Sequence, residues 1–281
     1  MKNPFKKPLC IYHANCSDGF GAACIVNKAI PDGVELYPAS HGDAPPDVTG
    51  RNVVMVDFSY PRQEITAMAK KCEYMLILDH HKTAETALKG IFEDDKIDGM
   101  FDMERSGCMM AWEWFFPDQK APALVEHIQD RDLWRFHLQG TDAVMAAVFS
   151  YPQNIGTWSV LMRPDALDGL NRDGAAILRA HNKNIKDVTN IPTRRMKFQG
   201  YDVPVANVPF YMASDVGNAL SLDEFFAGTY YDSLEGRHFS LRSQSGGADV
   251  SQIAEEYGGG GHEHAAGFLA KFDVLPENGW L

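Results

Sequence analysis

Asp79, His80 and His81 stand together at the end of an apolar run, residues 75–82 (MLILDHHK). An acid followed by two imidazoles offers metal-ligand and proton-transfer groups in one place. Two other apolar runs end in a residue of the same kind: residues 9–13 (LCIYH) in His13, and residues 53–57 (VVMVD) in Asp57. After His13 come Asn15, Cys16 and Asp18, and further on Asp130 and Asp132 flank Arg131 beside Trp134. His13, Asp18, Asp57, Asp79, His80, His81 and one or both of Asp130 and Asp132 make a mixed imidazole and carboxylate set. Such a set suits manganese, iron or zinc better than magnesium alone. Several acids allow one carboxylate to bridge two ions, and two ions about 3.5 to 4 Å apart clamp the attacking and leaving oxygens of a phosphoryl displacement. The implied chemistry is hydrolysis of a phosphate ester or anhydride. A lone Asp at a strand end is more often a cap or turn residue, so the inference rests on the joint arrangement at three strand ends.

Positioning these residues requires a parallel sheet, because parallel strands deliver their carboxyl ends to one crevice. The three runs read as buried strands. Residues 18–28 read as a helix that opens just after the polar segment and aims its N-H groups at the crevice. Residues 34–37 suggest a short strand, residues 44–51 a Pro- and Gly-rich loop, and residues 61–71 a helix with proline in its first turn. The alternation predicts an α/β fold. Residues 106–116 and 122–129 read as helices, with the Asp130-Arg131-Asp132 cluster as a turn after the second. Residues 164–190 read as a helix that Pro192 stops, connecting two domains. In the block beyond, residues 201–208 and 238–243 read as strands and residues 214–222 and 250–257 as helices. Arg194, Arg195 and Lys197 read as a solvated edge. The four glycines 258–261 permit positive φ and close approach, so N-H groups of Gly259, Gly260 and Gly261 can cradle an anion while His262 and Arg242 hold a phosphate or stack on a base.

With 281 residues, 45% of them hydrophobic, the chain is long enough for two cores. A formal net charge of -12 argues against a protein that coats long nucleic acid. A small phosphorylated substrate remains compatible, because bound cations supply positive charge locally. The five cysteines, Cys10, Cys16, Cys24, Cys72 and Cys108, contain no C-x-x-C pair and read as reduced thiols. Lys2, Lys6 and Lys7 precede no long apolar segment, since Pro4 and Pro8 interrupt it, and no run approaches the roughly 18 apolar residues of a membrane span. The expectation is a cytoplasmic protein without a membrane contact.

Asp79-His80-His81, with His13-x-Asn15-x-x-Asp18-Gly19, Asp57 and Asp130-Arg131-Asp132, resembles the motif set of the DHH phosphoesterase superfamily. Arg242-Ser243, the glycine run with His262, and Ala265-Ala266-Gly267-Phe268 resemble its associated C-terminal domain. The resemblance covers nearly the whole chain. It implies a metal-binding catalytic domain over residues 1–160, a helical linker over 161–194, and a smaller α/β substrate-binding domain over 195–281, with domain closure gating access. His13, Asp18, Asp57 and His80 would be metal ligands, Asp57 bridging, and Asp130 or Asp132 would close the second site. His81 would face the scissile phosphate as a contact or proton donor. Asp79 would either bind metal directly or orient an imidazole. Asn15, Arg242, Ser243, Gly259, Gly260, Gly261 and His262 would contact substrate.

The cofactor implied is a divalent metal, manganese first, one or two ions per chain. The first motif departs from the family pattern, in which many members carry two aspartates; here Asn15 and Cys16 occupy that region and only Asp18 is acidic. The activity implied is hydrolysis of short nucleic acids or nucleotides, with a short-oligonucleotide exonuclease preferred. A pyrophosphatase or polyphosphatase, and a non-catalytic nucleotide sensor, are the alternatives. The oligomeric state is left open, with a homodimer as the candidate.

Overall fold

A computed structural model describes residues 8–272; Lys2, Pro4, Lys6 and Lys7, used above to argue against a leader segment, lie outside them. The chain divides into two compact units, Met1–Arg179 and Ala180–Leu281.

In the first unit, strands β1 (Leu9–His13), β2 (Glu35–Ala39), β3 (Asn52–Val56), β4 (Tyr74–Asp79) and β5 (Ile97–Phe101) form one parallel sheet in the order β2-β1-β3-β4-β5. Side chains alternate between the faces of a strand, so an unbroken apolar run feeds two cores at once. Cys10, Tyr12, Val54, Val56, Leu76 and Leu78 pack into one core. It is completed by α1 (Ser17–Ala29), α4 (Gly107–Phe115), α5 (Ala123–Asp132), α6 (Thr141–Phe149) and α7 (Ile155–Leu161). Leu9, Ile11, Val53, Met55, Met75 and Ile77 pack into the other, with Ile65, Met68 and Ala69 of α2 (Arg62–Ala69). A short α3 (Lys82–Ala87) follows β4 with His81 as its N-terminal cap residue.

Several boundaries differ from the expectations. The Asp130-Arg131-Asp132 segment is the last turn of α5 and not a turn beyond it. Strand β5 and helices α3, α6 and α7 carry no clear periodic signal in the sequence. The long connecting helix is a 3-10 turn, Pro164–Ala166, followed by α8 (Leu167–Thr189), and the boundary between the units falls inside α8.

The second unit has a six-stranded sheet in the order β10-β11-β9-β8-β7-β6. Its elements are β6 (Arg194–Phe198), β7 (Tyr201–Asn207), α9 (Ala213–Leu220), β8 (Ala227–Asp232), β9 (Arg237–Arg242), α10 (Val250–Glu255), β10 (Gly260–His262) and β11 (Ala265–Ala270). All its strand pairs are antiparallel except β7 with β8. The predicted solvated edge at Arg194, Arg195 and Lys197 is the edge strand β6, and Arg195 pairs with Asp202 and Glu224. Phe198, Phe226, Phe239, Leu241 and Phe268 form the core.

The glycine run is not an open loop. It enters the β10–β11 hairpin, and a Cβ on Gly259 would stand 2.1 Å from the Gly267 carbonyl oxygen and 2.5 Å from Phe268 Cβ. Close packing is thus one physical reason for glycine there.

Candidate metal centre

Strand order reverses beside β1: the chain runs from β1 to β2 on one side and returns to β3 on the other. Such a switch point opens a crevice at the strands' carboxyl ends. Register places Tyr12 opposite Val56 and Val56 opposite Leu78, so His13, Asp57 and Asp79 leave three adjacent strands at one level. Asp57 adopts a left-handed φ of 53°, which Asp tolerates better than a β-branched residue, while its N-H donates to the Leu78 carbonyl at 2.9 Å.

The outcome is an imidazole ringed by carboxylates. His80 Nε2 lies 2.9 Å from Asp57 Oδ1, 3.5 Å from Asp132 Oδ2 and 3.7 Å from Asp18 Oδ2. Asp18, Asp57 and His80 are at most 2% exposed. His13 Nδ1 stands 3.7 Å from Asp57 Oδ2. Asp18 sits in the first turn of α1 and accepts the Gly107 and Cys108 N-H groups of α4 at 2.5 and 2.9 Å, which ties two helix starts to one carboxylate. Gly107 has to be glycine, because a Cβ would lie 2.5 Å from Asp57 Cβ and 2.9 Å from Asp18 Oδ2.

Burial, then the Asp57 and Asp132 charges, push the Asp18 carboxyl well above its usual range, and burial likewise raises Asp132 against the pull of His80. For Asp57 burial is outweighed by His13 and His80, which hold it well below the carboxylate range. His80 is lifted to about 10: burial opposes its charge, but Asp57, Asp132 and Asp18 win. Two buried acids, Asp18 and Asp57, and the partly exposed Asp132 around one imidazole leave the cluster short of positive charge. A divalent cation would supply it.

The donor set fits such an ion. Ligand atoms of Asp18, Asp57 and His80 lie within 4.8 Å of one another, as do those of His13, Cys16 and Asp57, and those of Asp57, Asp79 and His81. Asp57 belongs to all three sets, and its buried Oδ2 has no hydrogen-bond partner. A buried carboxylate oxygen with no hydrogen-bond partner, shared by three ligand sets, fits a cation.

Asp79 is committed differently. Its Oδ1 accepts from His81 Nδ1 at 2.7 Å and from the His80 N-H at 2.8 Å, and its Oδ2 accepts from Ser59 Oγ at 2.6 Å. It therefore orients His81. Burial disfavours the His81 cation, but Asp79 overcomes this and raises the ring above its ordinary value.

The α5 acids separate cleanly. Asp132 faces His80, whereas Asp130 Oδ1 accepts the His137 N-H at 2.8 Å and Oδ2 accepts the Leu138 N-H at 3.0 Å and Thr141 Oγ1 at 2.5 Å. Asp130 holds the loop that leaves the helix, where Trp134 and Phe136 both have positive φ and Arg131 lies 4.2 Å from the Trp134 ring centroid. Burial would raise Asp130, but these hydrogen bonds bring it below its ordinary value. A depressed carboxyl stabilises the fold above the unfolded value of about 3.9 and ceases to do so as pH falls through the folded one. Asp130→Asn is expected to lower stability by about 1–3 kcal/mol at neutral pH. In chemical denaturation the difference from wild type should shrink towards acid pH, and the variant should lose less metal affinity than Asp132→Asn. An unchanged midpoint would refute this role.

Of the remaining predicted residues, Asn15 belongs to the first unit and the others to the second. Asn15 is exposed in the turn before α1, with φ of 55°. In the second unit Arg242 donates to Ser214 Oγ, Ser240 Oγ and the Leu241 carbonyl, and Ser243 Oγ pairs with His264 Nδ1 at 2.9 Å. Gly259 precedes β10, which contains Gly260, Gly261 and His262.

Three residues went unrecognised from sequence: Ser59, Gly107 and His41. The His41 ring lies 5.8 Å from that of His13 and 6.2 Å from that of His81. It follows β2, so the strand-end rule that found His13 also applies to it. From the sequence Cys16 reads as a departure from the first motif, with a packing role preferred over a redox-sensitive one. Burial, then Asp57, Asp132 and Asp18, raise its thiol well above the usual value, opposed by the Gly19 N-H.

No family model matches the chain. An uncharacterised protein of Acanthamoeba polyphaga mimivirus is 31% identical over 283 residues, a match covering 92% of this chain and 66% of that protein. The chain thus spans less than two thirds of the length of this curated relative. Among solved structures, a pGpG-specific phosphodiesterase from Vibrio cholerae is similar with a TM-score of 0.50 and 13% identity, covering 95% of this chain and 94% of that one. The chain shares that fold. An exopolyphosphatase-related protein from Bacteroides fragilis has a TM-score of 0.49 and 13% identity, covering 94% of this chain and 87% of that one. Among the described residues no helix is long and apolar enough to cross a membrane.

Proposed function

We propose that this protein is a metal-dependent phosphoesterase of the DHH superfamily that hydrolyses short nucleic acids or nucleotides, foremost 5′-phosphorylated oligoribonucleotides cut to mononucleotides. The observation that carries the reading is Asp57, a buried carboxylate shared by three ligand sets with one oxygen unpartnered. His13, Asp18, Asp57, His80 and Asp132 would hold one or two divalent ions, manganese being the first to test. When bound, these ions would polarise the phosphate and activate a water. Asp57 gives His80 one oxygen and turns the other towards His13, so the same carboxylate serves both sides of the site. Asp79 fixes the His81 proton at Nδ1 and makes Nε2 the position from which a hydrogen bond or proton passes to the phosphate or the leaving oxygen.

Net charge supports a short substrate, since -12 suits no extended polyanion. The shared fold fits as well, because pGpG, named for the Vibrio protein, is itself a 5′-phosphorylated diribonucleotide. Arg242, Ser243 and His262 of the second unit are the proposed contacts to the rest of the nucleotide, with Asn15 in the first.

Purified protein should release mononucleotides from a 5′-phosphorylated diribonucleotide with manganese, and lose this activity with chelator or in His80→Ala. Faster turnover of pyrophosphate or polyphosphate would replace the nuclease reading by a pyrophosphatase. Binding of the dinucleotide with no hydrolysis under any metal would leave a sensor.

A further inference from the structure

We propose that Cys16 is a thiolate ligand of the metal ion held by His13 and Asp57. The inference rests on the metal-dependent reading above and adds a ligand that it does not contain. His13, Cys16 and Asp57 each offer a ligand atom within 4.8 Å of the others. Independently, Asp57 is 1% exposed and its Oδ2, the oxygen near His13, has no hydrogen-bond partner. A buried anion with an unmet acceptor, an imidazole and a sulfur converging on one point are a cation's ligands.

Local structure brings the sulfur there. Cys16 is the N-terminal cap residue of α1, a position usually taken by Ser, Thr, Asp or Asn, and it makes no capping hydrogen bond from its side chain. Capping therefore does not account for cysteine. Charge balance points the same way. Asp18, Asp57 and Asp132 bring three negative charges, and a Cys16 thiolate makes four, the sum that neutralises two divalent ions. Binding is a proton exchange: the S-H proton leaves to solvent as the sulfur–metal bond forms, with no change of oxidation state.

A ligand group of imidazole, thiolate and carboxylate shifts preference from manganese and magnesium towards zinc, cobalt(II) and iron(II). The apparent defect in the first motif, a neutral Asn15 where a second acid is expected, is then made good one residue later by sulfur.

Cobalt(II) is the probe, because it reports sulfur ligation without any assay of activity. Chelated, reduced protein titrated with cobalt should develop visible d–d bands together with a near-ultraviolet sulfur-to-cobalt charge-transfer band. Cys16→Ser, which keeps a good helix cap, should retain the visible bands and lose the ultraviolet one, with zinc affinity falling at least about tenfold. Cys16→Asp should regain tight manganese binding without the ultraviolet band. Visible bands without a charge-transfer band in the wild type, or a charge-transfer band that survives in Cys16→Ser, would overturn Cys16 as a ligand and leave the metal site standing. No cobalt spectrum at all would remove the metal site and this proposal with it.

Discussion

Asp57→Asn protein is expected to bind divalent metal at least about a thousandfold more weakly and to lose hydrolysis to the same extent or more. The substitution is nearly isosteric and keeps an acceptor for His80 Nε2, so the local packing survives. What disappears is the charge common to three ligand sets. Loss should be larger than for Asp18→Asn or Asp132→Asn, each of which contributes to one side only. The metal-free state should weaken as well. His13 and His80 hold Asp57 well below the carboxylate range, so its charge stabilises the metal-free fold at neutral pH by the rule given for Asp130, which outweighs the relief its removal gives Asp18 and Asp132. The melting temperature of chelated Asp57→Asn protein should therefore fall below that of chelated wild type, while the rise that metal gives the wild type vanishes. Calorimetric titration and thermal denaturation with and without chelator measure both. Wild-type metal affinity in the variant would show that Asp57 is no shared ligand.

His81→Ala should lower turnover by about 10²–10⁴-fold with metal affinity within a few-fold of wild type. His81 shares one of the three ligand sets with Asp57, but Asp79 takes its Nδ1, so its loss leaves the ligands around His80 and His13 in place. Asp79→Asn should follow at about 10–100-fold, because an amide no longer dictates the ring's tautomer and orientation. The leaving group provides a sharper test. A ribose oxygen needs a proton as it departs and a nitrophenolate does not, so His81→Ala should be severe on a dinucleotide and mild on a nitrophenyl phosphodiester. Equal losses on both would make His81 a phosphate contact and not a donor.

Strand ends were legible because an unbroken apolar run that finishes in Asp or His fits little but a buried parallel strand whose carboxyl end lines a crevice. The same logic fails for β5, IDGMF, whose Gly99 has φ of 139° and sits so close to Ile77 that a Cβ would lie 1.8 Å from its carbonyl oxygen. A glycine that reads as a breaker is there to let two backbones touch. The choice between Asp130 and Asp132 could not be made from the sequence, because residues two apart on a helix face different ways and only packing says which faces the sheet. Charge at residues 130–132 also hid the end of α5, which carries neither Gly nor Pro as a stop signal. In the second unit, β8 and β11 are short and contain Gly, Ala and Thr, so no strong alternation marked them.

The residues that would hold metal run from His13 on β1 to Asp132 at the end of α5, and four crossings of the chain separate the first from the last. The β3–α2–β4 piece brings Asp57, Asp79, His80 and His81 together, while His13, Asp18 and Asp132 reach the centre from outside it. During synthesis the full set, Asp132 included, would be assembled only once α5 has docked, when the pocket closes around His80, which ends 2% exposed. Which metal occupies the protein in a cell would then be decided largely by what is abundant as that closure happens, and a wrong ion trapped there would leave on the timescale of local opening, not of simple exchange.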